Sequence, residues 1–127
     1  MGIIENKLKE HNLLRTTKRK VVRHGQPINL GKFRIEFIKT NHSIQDASAL
    51  AIYSPAGVVI HTGDFKVDYT PVFGDAIDLQ RFAEIGKKGV LALMSDSTNA
   101  ERRGFTQSEK TVGISLIIFL RNIRIQG

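Results

Sequence analysis

The sequence predicts an α/β domain, because strand patterns and helix patterns alternate along the chain. Phe33, Ile35 and Phe37 alternate with charged residues, which is typical of a half-buried strand. The wholly apolar run at 90–94 predicts a strand that is buried on both faces. Between them, Asp78 is a suitable N-cap for a helix whose apolar residues share one face and which ends near residue 86. Strands and a helix in this order favour a sheet with helices packed on it.

Shorter signals predict the elements around these. Residues 2–14 have apolar residues at helical spacing, and residues 19–23 predict a short strand that is closed by turn residues at 25–27. Two further strands are predicted at 48–53 and 58–62. A tight turn separates these two strands, so we expect an antiparallel hairpin.

The C-terminal part of the chain contains a third helix signal. Thr106 and Glu109 have the spacing of a capping box, which predicts the start of a helix. The apolar run from Ile114 fits either a helix or a strand. The sequence has no repeat, no low-complexity linker and no clear domain boundary, so we expect one domain over residues 1–127.

Composition narrows the functional classes. Hydrophobic residues make up 41% of the 127 residues and charged residues 24%, which is ordinary for a globular protein. No apolar run has the length that a membrane span requires, and no signal-peptide core is present, so we expect a cytoplasmic protein without membrane contact. The chain has no cysteine, so a zinc-type site would have to use histidine and carboxylate ligands.

The net charge of +7 favours polyanionic partners. Residues 1–24 contain seven basic residues against two acidic ones. Within this segment, Lys18, Arg19 and Lys20 are the candidate nucleic-acid-binding residues, acting by phosphate neutralisation. A basic surface that only keeps the protein soluble explains the charge equally well. No aromatic residue is interleaved with these charges, so the segment does not predict base stacking.

Candidate catalytic side chains lie at the ends of three predicted strands. They are His42, then His61 and Asp64, then Asp96, Ser97 and Thr98. Imidazole and carboxylate together suit zinc or manganese, and a carboxylate can bridge two divalent ions. One histidine and one aspartate are nevertheless too few ligands to close a metal site. On spacing alone, His42 is better interpreted as a capping or core histidine.

Three motifs in order resemble ribonuclease J, a member of the β-CASP branch of the metallo-β-lactamase superfamily. They are Asn-His-Ser-Ile-Gln-Asp at 41–46, His-Thr-Gly-Asp-Phe-Lys at 61–66 and Ser-Asp-Ser-Thr-Asn-Ala-Glu-Arg at 95–102. Residues 68–72 and the helix after Asp78 are also similar to that family. The resemblance covers roughly residues 2–113.

The resemblance implies a fold. We expect a mixed β-sheet with flanking helices, which would form the later half of a metallo-β-lactamase αββα sandwich. Residues 1–127 would then be a partial metallo-β-lactamase domain, with family-like residues 1–113 and a divergent apolar tail at 114–127. The strands of the other sheet would lie outside this chain, which leaves an apolar sheet face uncovered. We therefore expect a tendency to form homo-oligomers through that face.

The resemblance also implies site residues and a substrate. His42 falls on a zinc ligand and Asp64 on the carboxylate that bridges two zinc ions, with manganese as an alternative metal. Asp96 falls on the motif whose carboxylate hydrogen-bonds a distant histidine in the catalytic region, so Asp64 and Asp96 are the catalytic candidates. His61 matches a family position that is not a metal ligand. Family members degrade RNA by metal-dependent hydrolysis, both internally and from the 5′ end.

The sequence departs from the family in ways that affect activity. The His-x-His-x-Asp-His signature, which supplies most of the metal ligands, is absent, and the four histidines stand apart at 11, 24, 42 and 61. Gln45 stands where the family usually has proline. We therefore expect weak zinc binding at best and no nuclease activity from this chain alone. The alternative is a non-catalytic basic fragment that binds nucleic acid or assists assembly, while a thioesterase-like hydrolase is disfavoured by the Ser-Asp-Ser-Thr element.

Overall fold

The fold consists of a five-stranded sheet and three helices in a computed structural model that describes residues 2–72 and 74–125. In chain order the elements are α1 (Gly2–Glu10), β1 (Pro27–Leu30), β2 (Phe33–Lys39), β3 (Ser48–Ser54), β4 (Gly57–His61), α2 (Leu79–Gly86), β5 (Ala92–Met94) and α3 (Glu109–Ile125). Within the described ranges, no helix is long and apolar enough to cross a bilayer.

The sheet is mixed, and its strands follow the order of the chain. β1 to β4 form an antiparallel meander, and β5 adds to β4 in parallel. Parallel neighbours need a crossover connection, and α2 lies in the segment that joins β4 to β5. The predicted α/β class, the mixed sheet and the hairpin of β3 with β4 are confirmed.

One face of the sheet packs against α2 and forms the core. Ile38 pairs with Ala49, and Ala51 pairs with Ile60, so these four side chains lie on the same face. All four are at most 4% exposed, and Ile85 of α2 packs among them at 2% exposed. The two alanines allow the helix to approach the sheet closely, because they fill little space above the central strand.

The sequence specifies how α2 begins. The Asp78 side chain accepts a hydrogen bond from the Arg81 backbone N–H at 2.9 Å, which makes it the predicted N-cap. Arg81 also binds the buried carboxylate of Glu36 on β2, through Nε at 2.6 Å and Nη2 at 3.0 Å. The cap and the ion pair together fix α2 over the sheet.

The second face of the sheet remains partly exposed. Register places five apolar residues on this face, each of them half-buried: Ile35, Phe37, Leu50, Ile52 and Val59. Met94 of β5 extends this apolar face and is 55% exposed. The core cluster includes no residue of α1 or α3 within the described part of the chain.

The N-terminal predictions were partly wrong. The first helix ends at Glu10, short of the predicted residue 14, and residues 19–23 form no strand. The strand lies instead at Pro27–Leu30, where the turn residues at 25–27 had predicted a loop. It pairs with β2 around a two-residue connection whose Gly31 has a φ of 61°. Proline is tolerated at the first residue of an edge strand, because no ladder hydrogen bond is lost there.

The C-terminal predictions also need correction. β5 is exposed at all three residues, although its composition predicted burial on both faces, because it forms the edge of the sheet. The last helix begins at Glu109 rather than near Thr106, and the Ser108 hydroxyl caps it by accepting from the Lys110 N–H at 3.2 Å. The ambiguous apolar run is helical, and all of its side chains from Ile114 to Leu120 are exposed.

Candidate functional site

Sheet topology brings the three predicted clusters to one edge of the sheet. β2 and β4 are both antiparallel to β3, so they run in the same direction, and β5 is parallel to β4. The carboxyl ends of β2, β4 and β5 therefore meet at the same edge. His42, Asp64 and Asp96 each follow one of these ends.

A glycine turns the chain inward after β4. Gly63 has a φ of 60°, a conformation that costs other residues steric strain. A Cβ at this position would lie 3.2 Å from the backbone oxygen of Ser48. Beyond the turn, the Lys66 N–H donates to the Asn41 carbonyl oxygen at 2.9 Å. This bridge holds the loop after β4 beside the loop after β2.

His42 and Asp64 face each other across this junction. The His42 Nε2 atom lies 3.6 Å from the Asp64 Oδ2 atom, and the side chains are 38% and 71% exposed. The two residues that the motifs single out are thus neighbours at this edge of the sheet. At this distance and exposure the two groups attract each other only weakly when the imidazole is protonated, so both remain available to a ligand.

Asp96 lies close to this pair and is held by its own loop. Its carboxylate accepts from the Thr98 hydroxyl at 2.5 Å and from the Thr98 N–H at 2.8 Å. These bonds lower the pKa of Asp96 below its usual value, with smaller contributions from the Phe65 N–H and from the charge of His42. The carboxylate is therefore ionised at neutral pH, and Thr98 fixes its orientation.

Two buried threonines at this edge were missed by the sequence reasoning. Thr62 is 6% exposed, and its hydroxyl accepts from the Asp96 N–H at 3.1 Å and donates to the Gly63 carbonyl at 2.7 Å. It thus ties the end of β4 to the end of β5. Thr40 follows Ile38 by two residues, as Thr62 follows Ile60, so both continue the buried face. The signal that could have found them is a polar residue at the position where the alternation of a strand predicts a buried side chain.

A cleft of about 370 Å³ opens beside His42. It is lined by residues 39–47, Gly74, Asp75 and Glu109, but neither Asp64 nor Asp96 lines it. The Thr40 hydroxyl and the Asn41 Oδ1 atom are buried, and neither finds a hydrogen-bond partner among the described residues. Buried polar atoms are nearly always paired, so these two are exceptions at the end of β2.

The residues present do not fit a complete zinc site. Within residues 2–72 and 74–125, no three His, Asp or Glu side chains are grouped so that they could hold a metal ion. His42 and Asp64 supply two donors, whereas a zinc site takes at least three protein ligands. The other histidines near this edge are engaged elsewhere: the His24 ring bonds the Ser48 hydroxyl at 2.9 Å, and the His61 Nδ1 accepts from the Gly63 N–H at 3.0 Å.

Comparison with curated proteins decides the family. The chain is 50% identical to ribonuclease J from Synechocystis sp. over 113 residues, which cover 88% of this chain and 18% of that protein. It is likewise 50% identical to ribonuclease J from Helicobacter pylori strain 26695 over 113 residues, 16% of that protein. The chain is homologous to a segment of ribonuclease J. The predicted resemblance is thereby confirmed, and the chain spans less than a fifth of the length of either relative.

A third ribonuclease J match reaches further along the chain. Ribonuclease J 1 from Streptococcus pyogenes is 45% identical over 123 residues, which cover 97% of this chain and 22% of that protein. This match therefore extends beyond Gly113 into the segment that forms most of α3. No protein-family profile matches the chain.

A solved structure supports the fold alone. The crystal structure of a protein of unknown function from Enterococcus faecalis V583 matches this chain with a TM-score of 0.51. The match covers 84% of this chain and 26% of that one, at 16% sequence identity.

The candidate nucleic-acid residues lie in the segment between α1 and β1. Lys18, Arg19 and Lys20 are all exposed. The Arg19 guanidinium forms an ion pair with Glu5 of α1. Lys18 and Lys20 have no ion-pair partner among the residues that the structure describes. Two of the three cations are thus available to an anionic ligand.

Proposed function

We propose that this chain is part of a ribonuclease J-like, metal-dependent RNA phosphodiesterase that cuts internally and from the 5′ end. The observation that supports this most is the His42–Asp64 pair, 3.6 Å apart at the edge where β2, β4 and β5 end. This pair occurs in a chain that shares 50% sequence identity with ribonuclease J from Synechocystis sp. over 113 residues.

In this proposal the chain forms the later half of a metallo-β-lactamase sandwich. The partly exposed sheet face, with Phe37, Leu50 and Met94, supports a second sheet packing against it. Without that second sheet, the same face favours homo-oligomers. A cytoplasmic location belongs to the same proposal, since RNA is the substrate.

We assign site roles on the same basis. His42 and Asp64 would be metal ligands, for zinc or manganese, and Asp96 would orient a histidine that lies outside this chain. The two donors fall short of the three that zinc takes, so at least one ligand would come from elsewhere. The chain alone would therefore bind metal weakly and would not hydrolyse RNA.

RNA would be attracted by the N-terminal basic segment. Lys18, Arg19 and Lys20 are exposed, and contacts to phosphates release counterions. Affinity should therefore be weak and should fall steeply with rising salt, without sequence preference. Replacing the three residues together with glutamine should weaken binding to all RNA sequences alike.

One observation favours a second candidate function. No group of three metal-ligating side chains exists within the described residues. A non-catalytic fragment that binds nucleic acid or assists assembly would need none. Such a fragment would keep the salt-dependent RNA binding and would show no role for the His42–Asp64 pair.

Zinc titration distinguishes the two candidates. The chain and its His42→Ala and Asp64→Ala variants are titrated by calorimetry, with His11→Ala as a matched control on an exposed histidine outside the site. We expect weak zinc binding that both site variants abolish and the control retains. Binding that neither site variant changes would favour the non-catalytic candidate and contradict the proposed metal ligands.

A further inference from the structure

Two exposed aromatic side chains line one cleft near the candidate site. Phe105 is fully exposed and Tyr69 is 71% exposed. Both line a cleft of about 400 Å³ formed by residues 66–70 and 105–108. Large aromatic side chains are usually buried to a considerable extent, so two exposed ones on the same cleft indicate a surface that takes a planar ligand.

The cleft has fixed walls. The Asp68 carboxylate accepts from the Ser108 hydroxyl and from the Glu109 N–H, each at 2.9 Å. These bonds join the wall that carries Tyr69 to the wall that carries Phe105. Lys66, which lines the cleft, also pairs through its backbone with Asn41, next to His42.

Guanidinium groups lie on the other side of Phe105. A second cleft, of about 340 Å³, is lined by Phe105 together with Asn99, Arg102 and Arg103. Both arginines are exposed, and neither side chain has a hydrogen bond or ion pair within the described part of the chain. Glu101 precedes them, so the loop 99–106 carries one net positive charge.

We propose that this surface binds single-stranded nucleic acid, with bases stacked at Phe105 and Tyr69 and phosphates held by Arg102 and Arg103. Aromatic side chains beside a basic groove are the combination that single-strand binding uses. Guanidinium groups also stack on bases and bind phosphate oxygens in two-point contacts. The inference rests on the proposed function for its substrate class, but it places base contacts on a surface distinct from the N-terminal basic segment.

Binding of fluorescein-labelled oligouridine to the 127-residue chain tests this, with an abasic oligomer of equal phosphate number as the control ligand. Phe105→Ala should weaken oligouridine binding at least about fivefold, the low end of one lost base stack. Phe105→Leu should lose as much affinity as Phe105→Ala, because leucine is apolar but has no π-face. Phe105→Tyr keeps an aromatic ring and should retain the wild-type affinity. Phe33→Ala, at a half-exposed aromatic on the β1–β2 hairpin, should change nothing.

The arginines have a different expected effect. Replacing Arg102 and Arg103 together with glutamine should weaken the binding of both ligands. It should also flatten the slope of log affinity against log salt by about 1.4, since each phosphate contact to a single strand contributes about 0.7. Equal affinity for oligouridine and the abasic oligomer, with Phe105→Leu unchanged, would overturn the inference and leave the proposed function standing. Absence of any RNA binding at low salt would overturn both.

Discussion

The buried ion pair between Glu36 and Arg81 offers a direct test of how α2 is held. Glu36 is 3% exposed, and it accepts two hydrogen bonds from Arg81 and one from the Tyr53 hydroxyl at 3.2 Å. Arg81→Met keeps an apolar stem over the sheet but leaves a buried carboxylate whose remaining partners are the Tyr53 hydroxyl and the half-exposed Arg34, at 3.7 Å. Breaking a buried pair from one side costs about 3–5 kcal/mol. Because the Arg81 side chain is itself 29% exposed, we expect the lower end of that range.

Urea unfolding, followed by circular dichroism at neutral pH, measures this loss. A loss of about 3 kcal/mol lowers the urea midpoint by about 1.5 M for a slope of about 2 kcal/mol/M. Glu84→Gln is the matched control, since Glu84 also accepts from Arg81 but is 44% exposed, and it should shift the midpoint far less.

A double variant sharpens the same prediction. Glu36→Leu combined with Arg81→Met leaves no buried charge, so it should recover more than half of the loss seen in Arg81→Met. If Arg81→Met shifts the midpoint no more than Glu84→Gln does, or if the double variant shows no recovery, the ion pair does not hold α2.

The pair also predicts the pH dependence of stability. Hydrogen bonding to Arg81 lowers the pKa of Glu36 below its usual 4.5, against the opposing effect of burial. The stabilisation is therefore fully present above the usual pKa and is lost as pH falls through the folded-state pKa. In Arg81→Met the main cause of the lowered pKa is gone, and only Tyr53 and Arg34 still oppose the effect of burial. The loss of stability on acidification that Glu36 contributes should therefore become smaller. An unchanged pH profile in that variant would contradict this assignment.

Three further substitutions test the site edge. Gly63→Ala should cost about 1–2 kcal/mol in urea unfolding, because its backbone is left-handed and Ser48 crowds the new Cβ; an unchanged midpoint would contradict the turn geometry. Thr62→Val should cost about 1–3 kcal/mol by the same assay, since the Asp96 N–H loses its acceptor, and a smaller loss would mean that the two loops are not tied there. Asp68→Asn should reduce the helical circular dichroism signal at 222 nm, because it frays the first turn of α3. Hydrogen bonds from backbone N–H groups lower the pKa of Asp68, so the wild-type chain should lose the same signal as pH falls through that lowered pKa. A signal that does not change with pH would contradict this.

Local signals predicted the centre of the fold well. The alternation along β2, the tight turn between β3 and β4, and the N-cap of α2 are each encoded within a few neighbouring residues. The edges of the sheet were predicted poorly. Pro27 is a turn signal in sequence but is compatible with an edge strand. The apolar composition of 90–94 could not reveal that β5 is itself an edge, because burial depends on strands that are distant in sequence.

The sequence predicted which residues belong to the candidate site, but not the hydrogen bonds that connect its loops. His42, Asp64 and Asp96 were identified by their motifs, and the strand directions explain why they meet. The roles of Thr62 and Asp68 were missed, because their hydrogen bonds join segments about 34 to 41 residues apart. Such contacts leave no local periodicity in the sequence.

Cleavage of 5′-monophosphorylated RNA tests the central claim, that this chain contributes an incomplete set of ligands to a larger metal-dependent site. With zinc or manganese, the 127-residue chain alone should not cleave. Joined to a segment that carries the His-x-His-x-Asp-His signature and to the domain that follows in ribonuclease J, it should cleave, and Asp64→Ala should abolish that activity. Metal-dependent cleavage by the chain alone that disappears in Asp64→Ala would contradict the account, because the remaining ligands would then have to lie within these 127 residues.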